Sequence, residues 1–233
     1  MNDLYPIIAS HLCYIDLLSW IIAVPCIKPY IKLVDFNDII LTRLNQLGLD
    51  GQSFIDHLIK YNNYVSGSFI LQCLYDTEWP SDIDVYCMSE DTYLPNLNLN
   101  KSPLGFIKFL KDATLVEPGS SYELMHFYQR MYTQNNVMIN HIMVNPTPID
   151  DLHHDTIFKF VDLFDLDFCK VIYDGKKLYI KNLDSLFSRS SLLNVKMDIY
   201  IKKSMLKENQ DQVYGRLLQR VIKYKSRGFK IEI

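Results

Sequence analysis

A chain of 233 residues is long enough for one large domain, or for one medium domain with a small appendage. With 48% hydrophobic and 22% charged residues, the composition is that of a folded globular protein and excludes a largely disordered chain. The net charge of −3 neither favours nor excludes a nucleic-acid partner, but ten Lys or Arg and four Asp or Glu lie between Lys196 and Ile233. That basic end is a candidate phosphate-facing surface.

The cysteines predict reduced thiols. They are five in number, widely spaced, and include no C-x-x-C pair: Cys13, Cys26, Cys73, Cys87 and Cys169. Such a set favours a reducing compartment over a disulfide framework or a zinc site. The chain also lacks an apolar run of about 18 residues and has Asp3 instead of a basic start, so we expect neither a membrane span nor a signal peptide. We therefore expect an intracellular, cytoplasmic protein.

The first helices are predicted within residues 1–34, where two or three short apolar helices bury one another and are broken at Pro25 and Pro29. The order Leu4-Tyr5-Pro6-Ile7-Ile8, His11-Leu12 and Ile15-Asp16-Leu17-Leu18 resembles an F-box, the helical motif that docks on an adaptor of ubiquitin ligases. This resemblance implies such an adaptor as a partner of residues 1–34. The alternative is a helical cap on the domain of residues 35–233.

Amphipathic helices are predicted over 36–47 and 54–61, the second capped by Ser53, and they lead to a short strand at Tyr64-Val65. Gly67-Ser68 then forms a turn, and a largely buried helix over 69–75 directs the free N–H groups of its first turn towards an anion.

Asp82-Ile83-Asp84-Val85 predicts a buried strand with both carboxylates on one face. Two carboxylates about 6.5 Å apart on one strand face repel each other by about 2–3 kcal/mol at an effective dielectric constant near 20, so they favour a bound cation. Mg²⁺ is suited to this position because it prefers oxygen ligands and shares its coordination shell with phosphates. The alternative is a surface turn followed by an edge strand with solvated acids.

Gly67-Ser68 and, after thirteen residues, Asp82-Ile83-Asp84-Val85 resemble the signature of the DNA polymerase β-like nucleotidyltransferase superfamily. The resemblance implies that Asp82 and Asp84 hold Mg²⁺ or Mn²⁺ as catalytic residues. It also implies that Gly67 and Ser68 bind the β- and γ-phosphates of a nucleoside triphosphate (NTP).

Further along the chain, a polar loop is predicted over 89–102, helices over 103–111 and 150–159, and a loop at Glu117-Pro118-Gly119-Ser120. Strands over 125–132 and 137–144 form a predicted hairpin around Gln134-Asn135-Asn136. A second hairpin is predicted at Asp174-Gly175, and a helix over 210–225. The acidic and histidine-rich start of helix 150–159 is a candidate metal cluster, but a solvated helix N-terminus accounts for it better.

Active members of the superfamily have a third carboxylate on the strand beside the Asp-x-Asp strand. Here that strand, predicted over 138–144, offers Asn140 or His141 and no acid. Asp165 and Asp167 have strand spacing on the next predicted strand, and we expect one of them to complete the catalytic metal cradle. The alternative is a polar strand end whose carboxylates accept hydrogen bonds from loop N–H groups.

The later motifs extend the resemblance. Met138-Ile139-Asn140-His141, Phe164-Asp165-Leu166-Asp167, Tyr173-Asp174-Gly175 and Lys223-Tyr224-Lys225-Ser226-Arg227 occur in an order that resembles small nucleotidyltransferase-like proteins of large DNA viruses and fungi. This implies a mixed sheet with helices packed on it. In a triphosphate enzyme, Lys223 and Arg227 would bind phosphates; the alternative is a solvated helix face.

These observations predict an α+β nucleotidyltransferase-like fold, with a mixed β-sheet, packed helices and a short helical N-terminal segment. The function they favour is Mg²⁺-dependent transfer of a nucleotidyl group from an NTP to the hydroxyl of a protein, a small molecule or an RNA end. The alternative is a catalytically inactive nucleotidyltransferase-like interaction protein or F-box-like adaptor.

Overall fold

The computed structural model describes residues 4–30, 35–88, 114–122, 127–144, 161–162, 164–193 and 207–232. The loop predicted over 89–102, the helices predicted over 103–111 and 150–159, and the Asp- and His-rich cluster in the second of them lie outside these residues. No helix in the described ranges is long and apolar enough to cross a membrane.

The N-terminal segment is helical, as predicted. It contains α1 (Leu4–Ala9), α2 (Tyr14–Ala23) and a 3₁₀-helix (Pro25–Tyr30). Leu17 and Ile27 are buried in a small cluster of their own, whereas Ile15 is buried in the main core of the protein. Helix α2 is thus attached to the domain that follows it.

Two helices come next, each capped by an aspartate. In α3 (Phe36–Gln46) the Asp35 carboxylate accepts the N–H of Asn37, and in α4 (Gly51–Lys60) the Asp50 carboxylate accepts the N–H of Ser53. The prediction that Ser53 caps α4 is therefore wrong by three residues. Asp50 is the better cap because its carboxylate binds both the N–H and the hydroxyl of Ser53.

Seven strands form one mixed sheet with the order β3-β4-β5-β2-β1-β6-β7. Their bounds are β1 Tyr64–Ser66, β2 Ile83–Met88, β3 Thr114–Tyr122, β4 Phe127–Gln134, β5 Val137–Val144, β6 Val171–Tyr173 and β7 Leu178–Ile180. Strands β2 and β5 run parallel, and the other neighbouring pairs are antiparallel. Helix α5 (Ser68–Tyr75) joins β1 to β2 and is buried along its whole length.

The C-terminal part adds α6 (Leu183–Ser188), β8 (Ser190–Leu192), the long helix α7 (Lys207–Ser226) and β9 (Lys230–Glu232). Strands β8 and β9 pair in parallel as a separate two-stranded sheet. Val221 and Tyr224 of α7 are buried in the main core, so one side of this helix is packed against the domain.

Both predicted hairpins are confirmed. Strands β4 and β5 meet at Asn135 and Asn136, whose φ angles of 51° and 64° suit a two-residue turn, and β6 and β7 flank Asp174 and Gly175. The loop predicted at Glu117-Pro118-Gly119-Ser120 is wrong, because these residues lie within β3. Strand β3 is an edge strand with irregular register at these positions, which is where a sheet tolerates proline.

The strand predicted through Asp165 and Asp167 is also wrong. Asp167 begins a 3₁₀-helix, Asp167–Cys169, and the strand starts only at Val171. The backbone N–H of Asp167 donates to the Ser191 hydroxyl, 2.7 Å away. The chain therefore turns at Asp167, where it is bound by Ser191 of β8, although the local sequence indicates a continuous strand.

The cysteines are unpaired, as predicted. Cys73, Cys87 and Cys169 are buried, Cys13 is half-buried and Cys26 is exposed.

Candidate functional site

The carboxylates of Asp82 and Asp84 are brought together by a third residue. Asp84 pairs with Asn140 across the parallel strands β2 and β5. The Asn140 amide nitrogen donates to Asp82 Oδ2 at 2.5 Å and to Asp84 Oδ1 at 2.8 Å. Ile83 and Val85 point into the main core, so the strand alternation predicted from the sequence holds here.

Gly67 lets the turn before α5 lie against this pair. Its φ of +80° belongs to the left-handed region, and a Cβ atom at this position would lie 2.9 Å from Asp84 Oδ2. The turn and the carboxylate therefore touch only because residue 67 has no side chain. The first N–H groups of α5, which have no acceptor within the helix, start next to the carboxylates.

Ser68 is tied to the segment that leads into β2. The Ser68 and Ser81 hydroxyls are 2.7 Å apart, and Ser81 Oγ donates to the Asp82 carbonyl at 2.9 Å. This chain of hydrogen bonds fixes the start of α5 relative to Asp82.

Helix α7 and the turn just after it present three cations to the site: Arg220, Lys223 and Arg227. Arg220 and Lys223 are three residues apart and therefore lie on one side of the helix. Arg220 and Lys223 both act electrostatically on Asp84, and Arg227 acts on Asp82. Lys223 and Arg227 were expected from the sequence to bind phosphates, whereas Arg220 was not, although it lies only three residues before Lys223.

These charges shift the proton affinities in the site. Burial and the neighbouring Asp82 raise the pKa of Asp84 to about 6, although Asn140, Arg220 and Lys223 oppose the rise. Burial and the neighbouring Arg227 lower the pKa of Lys223, while Asp82 and Asp84 oppose that change. The site thus holds opposite charges in a partly desolvated setting.

Arg227 also anchors the loop before Asp82. Its guanidinium lies 4.8 Å from the ring centre of Trp79 and donates to the Pro80 carbonyl at 2.5 Å. From the other side, Arg43 of α3 donates to the Thr77 carbonyl at 2.8 Å and pairs with Glu78 at 2.6 Å. Arg43 of α3 and Arg227, just beyond α7, thus hold the segment between α5 and β2.

The acids expected to complete the metal cradle have other partners. Asp165 is buried and binds Arg220 through both oxygens, at 3.1 and 3.3 Å. Asp167 pairs with Lys170 at 2.7 Å. In the part of the chain that the structure describes, no three His, Cys, Asp or Glu side chains form a group that could hold a metal ion. Neither Asp165 nor Asp167 thus forms a group of three such side chains with Asp82 and Asp84.

The fold of this chain is similar to that of known proteins. No protein-family model and no curated protein matches the sequence. Among solved structures, a CCA-adding enzyme in complex with CTP is similar, with a TM-score of 0.50 and 15% sequence identity. The match covers 86% of this chain and 44% of that enzyme, so the chain spans less than half of its length. This likeness confirms the predicted α+β fold, in which helices pack on a mixed β-sheet, and shows that the fold is similar to that of the CCA-adding enzyme.

Proposed function

We propose that the protein is a Mg²⁺-dependent nucleotidyltransferase that moves a nucleotidyl group from an NTP to an acceptor hydroxyl. The observation that carries this proposal is the contact distance of 2.9 Å between the position of a Cβ atom on Gly67 and Asp84 Oδ2. It joins a turn suited to phosphate with a carboxylate pair suited to a metal ion.

The residues of the site fit a hard cation. Asp82, Asp84 and the amide of Asn140 all offer oxygen, which is the ligand type that Mg²⁺ and Mn²⁺ prefer. The ion would neutralise charge on the α-phosphate, where a bond to the acceptor hydroxyl forms as the bond to the leaving pyrophosphate breaks. Asp82 and Asp84 would hold it, and Gly67 and Ser68 would bind the β- and γ-phosphates through the turn and the start of α5.

The cations Arg220, Lys223 and Arg227 would bind the remaining phosphate charge. Lys223 and Arg227 face the carboxylates, and Arg220 lies on the same side of α7 as Lys223. Asp165 then serves the site through Arg220, whose guanidinium it orients. In this proposal Asp165 is a positioning residue, and the acceptor is a protein, a small molecule or an RNA end.

Thermal unfolding against the four NTPs, with and without Mg²⁺, tests the proposal. A ligand at 100 times its dissociation constant stabilises the fold by about 2.7 kcal/mol, so Mg²⁺ with the correct NTP should raise the melting temperature. The double variant Asp82→Asn, Asp84→Asn should lose this response. A double variant that responds as strongly as the wild type would refute the site.

A second candidate is a nucleotidyltransferase-like interaction protein without turnover. Asn140 favours it, because an amide stands where active relatives are expected to have an acid. Leu4, Ile7 and Ile8 of α1 favour it too, because they are exposed and offer an apolar surface to a partner. Transfer of label from an NTP to any acceptor would exclude this candidate, whereas NTP binding without transfer would support it.

A further inference from the structure

Asn140 has one polar atom in use and one without a partner. The residue is 4% exposed, and its amide nitrogen donates to both Asp82 and Asp84. Its Oδ1 atom is buried and has no hydrogen-bond partner within the described residues. Because buried polar atoms are normally hydrogen-bonded, this oxygen indicates a ligand or a second orientation of the amide.

The two ends of an amide suit opposite charges. The N–H₂ end suits two bare carboxylates, and it is the end that faces them here. A divalent cation on those carboxylates would face N–H dipoles of the wrong sign. Rotation of the terminal torsion exchanges nitrogen and oxygen, which have nearly the same size, and so needs no extra space in a packed site.

We propose that Asn140 is the third oxygen ligand of the divalent cation, through Oδ1, and that with Asp82 and Asp84 it forms a site for a single ion. This inference rests on the proposed function, since it takes the Asp82–Asp84 pair as the metal site. It adds Asn140 as a ligand, which the Asp-x-Asp pattern does not contain. It also specifies one ion per chain.

Charge favours one ion. Asp82 and Asp84 together carry two negative charges, which one divalent cation balances, and Asn140 adds none. A second divalent ion would lie beside Arg220 and Lys223 without a carboxylate to balance it. Arg220 and Lys223 of α7, and Arg227 just after it, already supply positive charge where a phosphate would lie. A second ion would therefore have no ligands here, and it is not needed to balance charge.

Mn²⁺ titration of the full chain, followed by the EPR signal of the free ion and without nucleotide, tests this inference. We expect one Mn²⁺ per wild-type chain. Asn140→Leu, which keeps the branched shape but removes the oxygen, should weaken Mn²⁺ binding by about tenfold or more. Asn140→Asp should tighten it by about tenfold or more, because a charged ligand replaces a neutral one.

Asn136→Asp is the matched control, since Asn136 is exposed in the turn of the same hairpin and the change adds the same charge. It should leave Mn²⁺ affinity unchanged. If Asn140→Leu does not fold, Asn140→Asp decides: affinity no higher than that of the Asn136→Asp control would overturn the inference.

Two other results would also overturn it: wild-type affinity in a folded Asn140→Leu variant, or two Mn²⁺ ions bound per wild-type chain. If Asp82→Asn with Asp84→Asn abolishes binding while Asn140→Leu keeps it, only the role of Asn140 fails. Absence of Mn²⁺ binding in the wild type would remove the proposed metal site together with this inference.

Discussion

At the scale of single residues, the site depends on Gly67, which has no side chain, and on Asn140, whose side chain is neutral. Gly67 allows the turn to touch Asp84, and Asn140 keeps Asp82 and Asp84 together although their charges repel. Neither residue carries a charge. Both act by deciding how closely charged groups approach one another.

Gly67→Ala should lower the free energy of unfolding by about 1–3 kcal/mol, because the new Cβ meets Asp84 and a non-glycine residue is strained at this φ. It should also reduce the thermal shift produced by Mg²⁺ and NTP. Gly228→Ala is the control: its φ is +85°, but a Cβ there meets nothing within 4 Å. Equal ligand responses in the two variants, measured by thermal unfolding, would contradict the close approach.

The raised pKa of Asp84 gives a dependence of stability on pH. The folded form holds this proton up to about pH 6, whereas the unfolded chain releases it near the ordinary value of 3.8. The stabilisation that this proton gives to the fold is therefore present below about pH 4 and is lost as the pH rises towards 6. In EDTA, the free energy of unfolding of Asp84→Asn should rise by about 1–2 kcal/mol relative to that of the wild type between about pH 4 and pH 6. This value is smaller than the full pKa shift would give because solvent screens the charge. Urea unfolding at several pH values measures it, and a constant difference would refute the shift.

At the scale of elements, the loop between α5 and β2 is fixed from outside the sheet. Arg43 of α3 binds its beginning at Thr77 and Glu78, and Arg227, just beyond α7, binds its end at Trp79 and Pro80. The position of Asp82 thus depends on two helices that are far apart in the chain.

Arg227→Lys should separate the charge of this residue from its packing. Lysine keeps the charge but loses the planar stacking on Trp79, so we expect a loss of about 1–2 kcal/mol in stability and a retained response to NTP. Arg227→Met should lose both. Arg189→Lys, which removes a similar stacking on Tyr75, is the control and should keep the NTP response. Full NTP affinity in Arg227→Met would argue against a phosphate role.

Local chemistry explains which elements could be predicted. Both hairpins were predicted because their turn residues, Asn135-Asn136 and Asp174-Gly175, are of types that favour turn conformations by themselves. Elements that depend on distant partners were not: the turn at Asp167 needs Ser191. The Asp165–Arg220 pair likewise joins residues that no local pattern relates. The bridge from Asn140 to both carboxylates requires the register of β2 with β5, which strand periodicity does not specify.

At the scale of the whole molecule, the N-terminal helices share a core with the rest of the chain. Ile15 of α2 is 2% exposed and lies in the same cluster as Phe69 of α5 and Leu186 of α6. Removal of residues 1–34 would expose that part of the core. This packing supports the helical cap, while the exposed residues of α1 leave a surface for a partner.

A chain of residues 35–233 should therefore aggregate when expressed alone, as light scattering would show. Ile15→Asp should destabilise the full chain by about 3 kcal/mol or more, because it buries an unpaired charge. Ile7→Asp is the control, since Ile7 is 57% exposed and should cost little. If 35–233 folds as a stable monomer, the cap has no structural role. A partner lost on Ile7→Asp alone would support the adaptor.

The three buried thiols have a consequence for kinetics. Cys73 lies on α5, Cys87 on β2 and Cys169 in the 3₁₀-helix, and burial raises the pKa of each, to about 12 for Cys73 and Cys169. A thiol reagent reaches them only when the surrounding element opens, so the rate of labelling reports local opening. If the carboxylate pair, the turn and the cations beside them bind Mg²⁺ and NTP, labelling of Cys73, Cys87 and Cys169 should slow, whereas labelling of the exposed Cys26 should not. The labelling rates of the three buried native cysteines would then report how ligand binding changes local opening.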